Sequence, residues 1–308
     1  MVCKSIVEFL LWNDCSAHGK CAFCWQQAKH EASKFLDNEN KLKSIECVKN
    51  FLKDNFVKLD TGENNKFTGN HILLVGGEIF DIENTEVIKN FKNLIDYIIQ
   101  LMNNNEIELL YINTNLLYKD LSTLEYLLNK IDSSSLWERL RFTTSWDLVG
   151  RFADKESEDL FFFNLNYIKG KYSKVHIVVN SILTKQFCET LIKTPDFIKD
   201  FQEKYKVQVN VIPYIVLREW MAPTRNQVIK ALLAIDSSIP GYTQAYIENF
   251  SLPQPKLLYE YNSEDKALIY CSSDLDSCGH SENFKNYCSD ADRCYICDLC
   301  HILDKISE

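Results

Sequence analysis

The stretch HILLVGG (residues 71–77) decides how the chain is read. Four apolar residues run together and two glycines stop them. A short run of that kind is a strand buried on both faces. The segment that follows, TEVIKNFKNLIDYIIQLM (residues 85–102), changes period. Its apolar residues Val87, Ile88, Phe91, Leu94 and Ile98 lie on one side of a helix. Thr85 reads as the N-cap, with Glu86 in the first turn.

The same pair of patterns recurs on either side. SIVEFLLW (5–12), IELLYINT (107–114), RLRFTTS (139–145), KVHIVVNS (174–181) and VQVNVIP (207–213) read as further strands. KLKSIECVKNFLKDNF (41–56), KDLSTLEYLLNKI (119–131), SEDLFFFNLNYIKG (157–170), DFIKDFQEKY (196–205) and TRNQVIKALLAI (224–235) read as helices. Six strands alternating with six helices predict an α/β protein with a parallel sheet. Repeat number leaves an open doubly wound sheet and a barrel equally allowed. Past Ser237 the alternation stops, and Pro240, Pro253 and Pro255 punctuate a loop-rich tail. The expected division is a main domain over residues 1–236 and an extension over 237–308.

Composition agrees with a globular protein: 308 residues, 46% hydrophobic and 25% charged. A net charge of −9 argues against a general nucleic-acid binder, because phosphate backbones are repelled. No apolar run reaches the roughly 18 residues that span a bilayer. The first residues show no cleavage pattern of a secretory signal. These features predict a cytoplasmic protein, in which disulfides are rare and clustered cysteines read as metal ligands.

There are 12 cysteines. Cys3, Cys47 and Cys188 stand alone and read as small core hydrophobes. The first cluster is CSAHGKCAFC (15–24), spaced C-x5-C-x2-C, just past the first strand. In parallel β/α folds ligands bind at the C-terminal ends of strands. Three thiolates leave a tetrahedral site one short. His18 or His30 would close a structural zinc site. Alternatively, a [4Fe–4S] cluster on Cys15, Cys21 and Cys24 keeps one iron for an outside chelator. GGE (Gly76, Gly77, Glu78) ends the second strand at the same rim. Its glycines are expected to let a ligand approach the backbone, and Glu78 to accept hydrogen bonds from an ammonium group.

With these residues in place, the sequence resembles the radical SAM enzymes over about residues 5–235. In that family a three-cysteine loop after the first strand holds the cluster. An aromatic residue precedes the last cysteine, as Phe23 does here. A GGE-type motif after the second strand meets the methionine amine of S-adenosylmethionine. The usual spacing is C-x3-C-x2-C; here the first gap is two residues longer, with Gly19 to bend it. The resemblance implies a partial (β/α)6 TIM-like barrel. It also implies cofactor contacts from Asn115 at the end of the third strand, where Leu116 stands for the usual glycine. Thr143 and Ser145 on the fourth strand, Asn180 on the fifth and residues 212–214 on the sixth complete the set. Reductive cleavage of S-adenosylmethionine would yield a 5′-deoxyadenosyl radical that abstracts a substrate hydrogen. SWDLVGRF (145–152) adds Trp146 as a candidate for the substrate cavity. Asp147 and Arg151, four residues apart, read as a pair across a helical turn.

The second cluster is Cys271, Cys278, Cys288, Cys294, Cys297 and Cys300, and its stretch CGHSENFKNYCSDADRCYICDLCH (278–301) is dense enough to predict another metal site. Cys278, His280, Cys294, Cys297 and Cys300 are its candidate ligands. Zinc and an auxiliary iron–sulfur cluster are both compatible with them. The implied partners are a peptide or small-molecule substrate and an electron donor such as flavodoxin or ferredoxin. The competing reading is a non-catalytic zinc protein whose Cys-rich tail binds a partner.

Overall fold

The computed structural model describes residues 5–12, 15, 21, 37–59, 70–212, 219–251, 256–262 and 268–273. The protein is an α/β fold in which six parallel strands alternate with helices. They are β1 (Ser5–Leu10), β2 (Asn70–Val75), β3 (Leu109–Asn113), β4 (Leu140–Ser145), β5 (Ile177–Ile182) and β6 (Gln208–Ile212). The helices are α1 (Asn38–Leu59), α2 (Thr85–Asn103), α3 (Ser122–Ser133), α4 (Lys155–Lys171), α5 (Lys185–Lys193), α6 (Phe197–Tyr205), α7 (Arg225–Ser238) and α8 (Tyr242–Ser251).

The chain forms two compact units. One comprises residues 1–144, 152–178 and 255–273; the other comprises 145–151, 179–254 and 274–308. In the first unit β1 pairs in parallel with β2, β2 with β3 and β3 with β4. The register runs Ser5 opposite Asn70 through Leu10 opposite Val75, so the two strands end together. That common end places Trp12, just past β1, beside Gly77 and Glu78. In the second unit β6 neighbours β5, and Leu183 N donates to the Ile212 carbonyl at 2.9 Å.

Four points differ from the sequence reading. The N-cap of α2 is Asn84, one residue before Thr85: its side-chain oxygen accepts from Glu86 N at 2.9 Å and Val87 N at 3.1 Å. Helix α5 is additional. Thr184 caps it through Phe187 N, and its buried Phe187, Cys188 and Leu191 span only about one turn of apolar pattern. The tail after Ser237 carries more than loop: it adds α8 and a hairpin of β7 (Lys256–Asn262) and β8 (Leu268–Ser273). Strand β8 lies antiparallel on the edge of β1, with Val7 opposite Cys271. An exposed strand edge is a row of unpaired backbone groups, and the hairpin covers it. Finally, burial along β3, β4 and β5 alternates between full and partial. Phe142 and Thr144 are sealed while Arg141 and Thr143 are half-buried.

Helix α2 anchors the first unit. Val87, Phe91, Leu94, Ile95 and Ile98 are all buried on its inner face, whereas Ile88 is half-buried. Its last turn has no basic residue of its own, although helix C-termini favour positive charge. Arg139, which leads into β4, supplies one. It donates to the carbonyls of Met102 at 2.7 Å, Glu108 at 2.9 Å and Ile107. Arg139→Ala strands several of these carbonyls and is expected to cost about 2 kcal/mol. Urea unfolding measures it; an unchanged midpoint would show that water replaces the guanidinium without loss.

Candidate functional site

The C-terminal ends of β1, β2 and β3 form the candidate site, within the first unit. Trp12 follows β1, is fully buried and grips the β2 end twice. Its carbonyl accepts from Gly77 N at 2.7 Å, and its indole Nε1 donates to the Glu78 carbonyl at 2.9 Å. Its ring meets Phe91 of α2 edge-on at 5.5 Å. Gly76 explains itself in this packing. A Cβ there would lie 2.5 Å from the Trp12 carbonyl oxygen. The approach of β1 is thus a reason of its own for a glycine here.

Glu78 is 1% exposed, and three protein donors hold its carboxylate. Oε1 accepts from Phe80 N at 3.1 Å, Oε2 from Asn115 N at 2.6 Å, and Thr114 Oγ1 lies 2.9 Å from both. Tyr118 OH stands 3.2 Å from the same Thr114 hydroxyl. Glu78 thus clamps the end of β2 to the turn after β3.

The turn after β3 carries Asn115 and Leu116. Leu116 adopts φ +58°, the left-handed region that glycine favours and that costs other residues roughly 1–2 kcal/mol. Full burial of the Leu116 side chain offsets the strain. The curl brings Leu117 N to Asn115 Oδ1 at 2.7 Å. With Oδ1 so fixed as acceptor, the amide nitrogen faces the other way and donates to Cys15 Sγ at 3.3 Å.

Thr114 N donates to the Thr143 carbonyl at 3.0 Å, which brings the end of β4 alongside. Ser145 and Asn180 belong to the second unit. There the Asn180 carbonyl accepts from Trp146 N at 3.0 Å. Trp146 is a core residue: it is 5% exposed, 4.9 Å from the Phe201 ring and stacked on Phe197 at 5.9 Å. Residues 146–151 are not helical, so the expected turn between Asp147 and Arg151 does not form. Asp147 instead accepts from Ile182 N at 2.6 Å. Thr114, Tyr118 and Trp12 are the site residues that sequence patterns missed.

Cys21 is buried and Cys15 half-buried. Among the described residues, no group of three or more His, Cys, Asp or Glu side chains is placed to hold a metal ion. Cys24, His18 and His30 lie outside those residues, as do Pro213 and Tyr214 and the candidate ligands Cys278, His280, Cys294, Cys297 and Cys300; Cys271 of the second cluster lies in β8. No described helix is long and apolar enough to cross a membrane.

Burial pushes the Glu78 carboxyl up to about 7, against the lowering effect of its hydrogen bonds to Asn115, Phe80 and Thr114. Asp147 is likewise pushed up to about 7 by burial, opposed by the Ile182 N–H and Arg151. A carboxyl raised on folding makes the native state hold its proton to higher pH than the unfolded chain. Its contribution is therefore fully present below about pH 4.5 and is lost as pH rises to about 7. For Glu78 the loss is about 3 kcal/mol across that window. Urea midpoints are expected to fall between pH 5 and pH 8, with a shallower fall in Glu78→Gln. Equal slopes in the two proteins would contradict the assignment.

No protein-family model matches the chain. No curated protein matches it either.

Proposed function

We propose that the protein is a radical SAM enzyme, built as a partial (β/α)6 barrel with a metal-binding C-terminal extension. One observation carries this reading. Three strand-end motifs, distant in sequence, meet through two hydrogen bonds at Asn115: its amide to Cys15 Sγ at 3.3 Å and its backbone N–H to Glu78 at 2.6 Å. The donor chemistry at Cys15 fits a metal-bound thiolate, since a polarised amide N–H stabilises negative sulfur. Cys15, Cys21 and Cys24 would hold a [4Fe–4S] cluster. With S-adenosylmethionine bound, that centre would supply the electron for reductive cleavage of the sulfonium, and the carbon radical so released would abstract a substrate hydrogen.

The chain's own part is positioning and exclusion of water. Trp12, Phe80 and Leu116 are buried around Glu78 and keep solvent from beneath the rim. Gly77 and Thr143 are the proposed cofactor contacts within the first unit. The tail cysteines and His280 hold zinc or an auxiliary cluster. A peptide side chain is favoured as substrate over a nucleoside or small metabolite. Flavodoxin or ferredoxin would supply the electron, in the cytoplasm.

Anaerobic reconstitution with iron and sulfide tests the proposal. A brown protein holding at least about four irons per chain, which releases 5′-deoxyadenosine on reduction with dithionite, supports it. A colourless protein that takes up only zinc overturns it in favour of the non-catalytic reading.

A further inference from the structure

The geometry points to Asn115 as a positioning residue that sets the reduction potential of the metal centre by hydrogen bonding to the sulfur of Cys15; this rests on the proposed iron–sulfur reading. Asn115 is 5% exposed, so its amide competes little with water. Its orientation is settled by three restraints within the first unit. The backbone N–H is held by Glu78 Oε2 at 2.6 Å. Oδ1 is held by Leu117 N at 2.7 Å. The left-handed turn at Leu116 sets the angle between them. What remains is an amide nitrogen aimed at Cys15 Sγ, 3.3 Å away and 100 residues earlier in the chain.

An N–H donor stabilises the more negative sulfur. Adding an electron to a thiolate-bound cluster raises the charge on its ligands, so the donor favours the reduced state and raises the potential. The same residue was expected to contact S-adenosylmethionine; the structure commits one of its two amide hydrogens to sulfur instead. The buried Glu78 clamp then has a purpose. It fixes the backbone from which the sulfur's hydrogen bond is made.

Two substitutions test this in the reconstituted full chain. Asn115→Asp retains an oxygen for Leu117 N but replaces the donor with an acceptor. Asn115→Leu has similar volume, no charge and no donor. Iron content and the electron paramagnetic resonance of the reduced cluster establish first that each variant is loaded. Spectroelectrochemical titration without S-adenosylmethionine then reads the potential. Loss of the donor is expected to lower the ratio of reduced to oxidised cluster at fixed potential about tenfold in Asn115→Leu, or about 59 mV for one electron. The shift in Asn115→Asp is expected to be larger, because a negative charge is added. Loaded variants with the wild-type potential would overturn the role of Asn115 and leave the iron–sulfur reading intact. A wild-type protein that assembles no cluster would overturn both. A purely structural role would lower thermal stability while leaving the potential of the loaded variants unmoved.

Discussion

Cys21→Ala is expected to leave the protein folded and to abolish cluster assembly. The side chain is small and buried at 6% exposure. Its loss to alanine removes one sulfur from a packed site, a cost on the order of 1 kcal/mol. Removing one of three ligands to a metal centre has a far larger effect. Even residues that only orient ligands cost about 10–100-fold in metal affinity. Iron content after reconstitution should fall to the level of unreconstituted protein, and 5′-deoxyadenosine release to background. Cys188→Ala is the matched control. Cys188 is fully buried in the second unit beside the Thr184 cap, and burial pushes its thiol up to about 12. A thiol so resistant to ionisation is a poor metal ligand. That variant should lose stability to a similar small degree and retain iron. Cofactor cleavage that survives Cys21→Ala would refute the assignment of the first cysteine cluster.

Gly76→Ala is expected to be the most destabilising single-methyl change in the first unit. The added Cβ would sit 2.5 Å from the Trp12 carbonyl oxygen and 3.1 Å from Ile79 Cγ2. The first contact is with backbone, so no side-chain rotation relieves it. The ends of β1 and β2 must separate, which weakens the Gly77 N to Trp12 O hydrogen bond of 2.7 Å and disturbs the Trp12 indole bond to the Glu78 carbonyl. Overpacking with loss of one hydrogen bond costs about 2–4 kcal/mol. That is a large share of the roughly 5–15 kcal/mol that stabilises a typical domain. Gly170 supplies the opposite sign. It lies in α4, and a Cβ there meets nothing within 4 Å. Gly170→Ala should gain about 0.5–1 kcal/mol from helix propensity and a less flexible unfolded chain. Urea midpoints moving apart in these directions would bear out the packing. A Gly76→Ala protein as stable as wild type would mean that the rim is loose.

Several elements could be read from local pattern because burial imposes a period. Helix α2 shows this best: Val87, Phe91, Leu94 and Ile98 repeat near 3.6 residues and all four are buried. The parallel strands were equally visible in HILLVGG and its counterparts. Among the elements that escaped, three did so for identifiable reasons. Helix α5 is nine residues long, and its Phe187, Cys188 and Leu191 complete only one turn of pattern. Strands β7 and β8 follow Pro253 and Pro255, which signal loop, and they obtain their order from the open edge of β1. An edge more than 240 residues away leaves no trace in the local sequence.

The candidate site divides in the same way. The amino-acid sequence alone determined the kinds of elements, their order, and the presence of thiols, glycines and a carboxylate just beyond strand ends. Side-chain spacing and backbone propensity are local properties, and they are enough for that much. Only the tertiary structure decided which group each of these faces. Gly76 meets a carbonyl of β1, Glu78 turns into the protein, and Asn115 reaches sulfur across 100 residues of chain. Those pairings depend on strand register and on one left-handed turn at Leu116. Both arise when distant segments pack, because hydrogen-bond partners are selected by position in space rather than by separation along the chain.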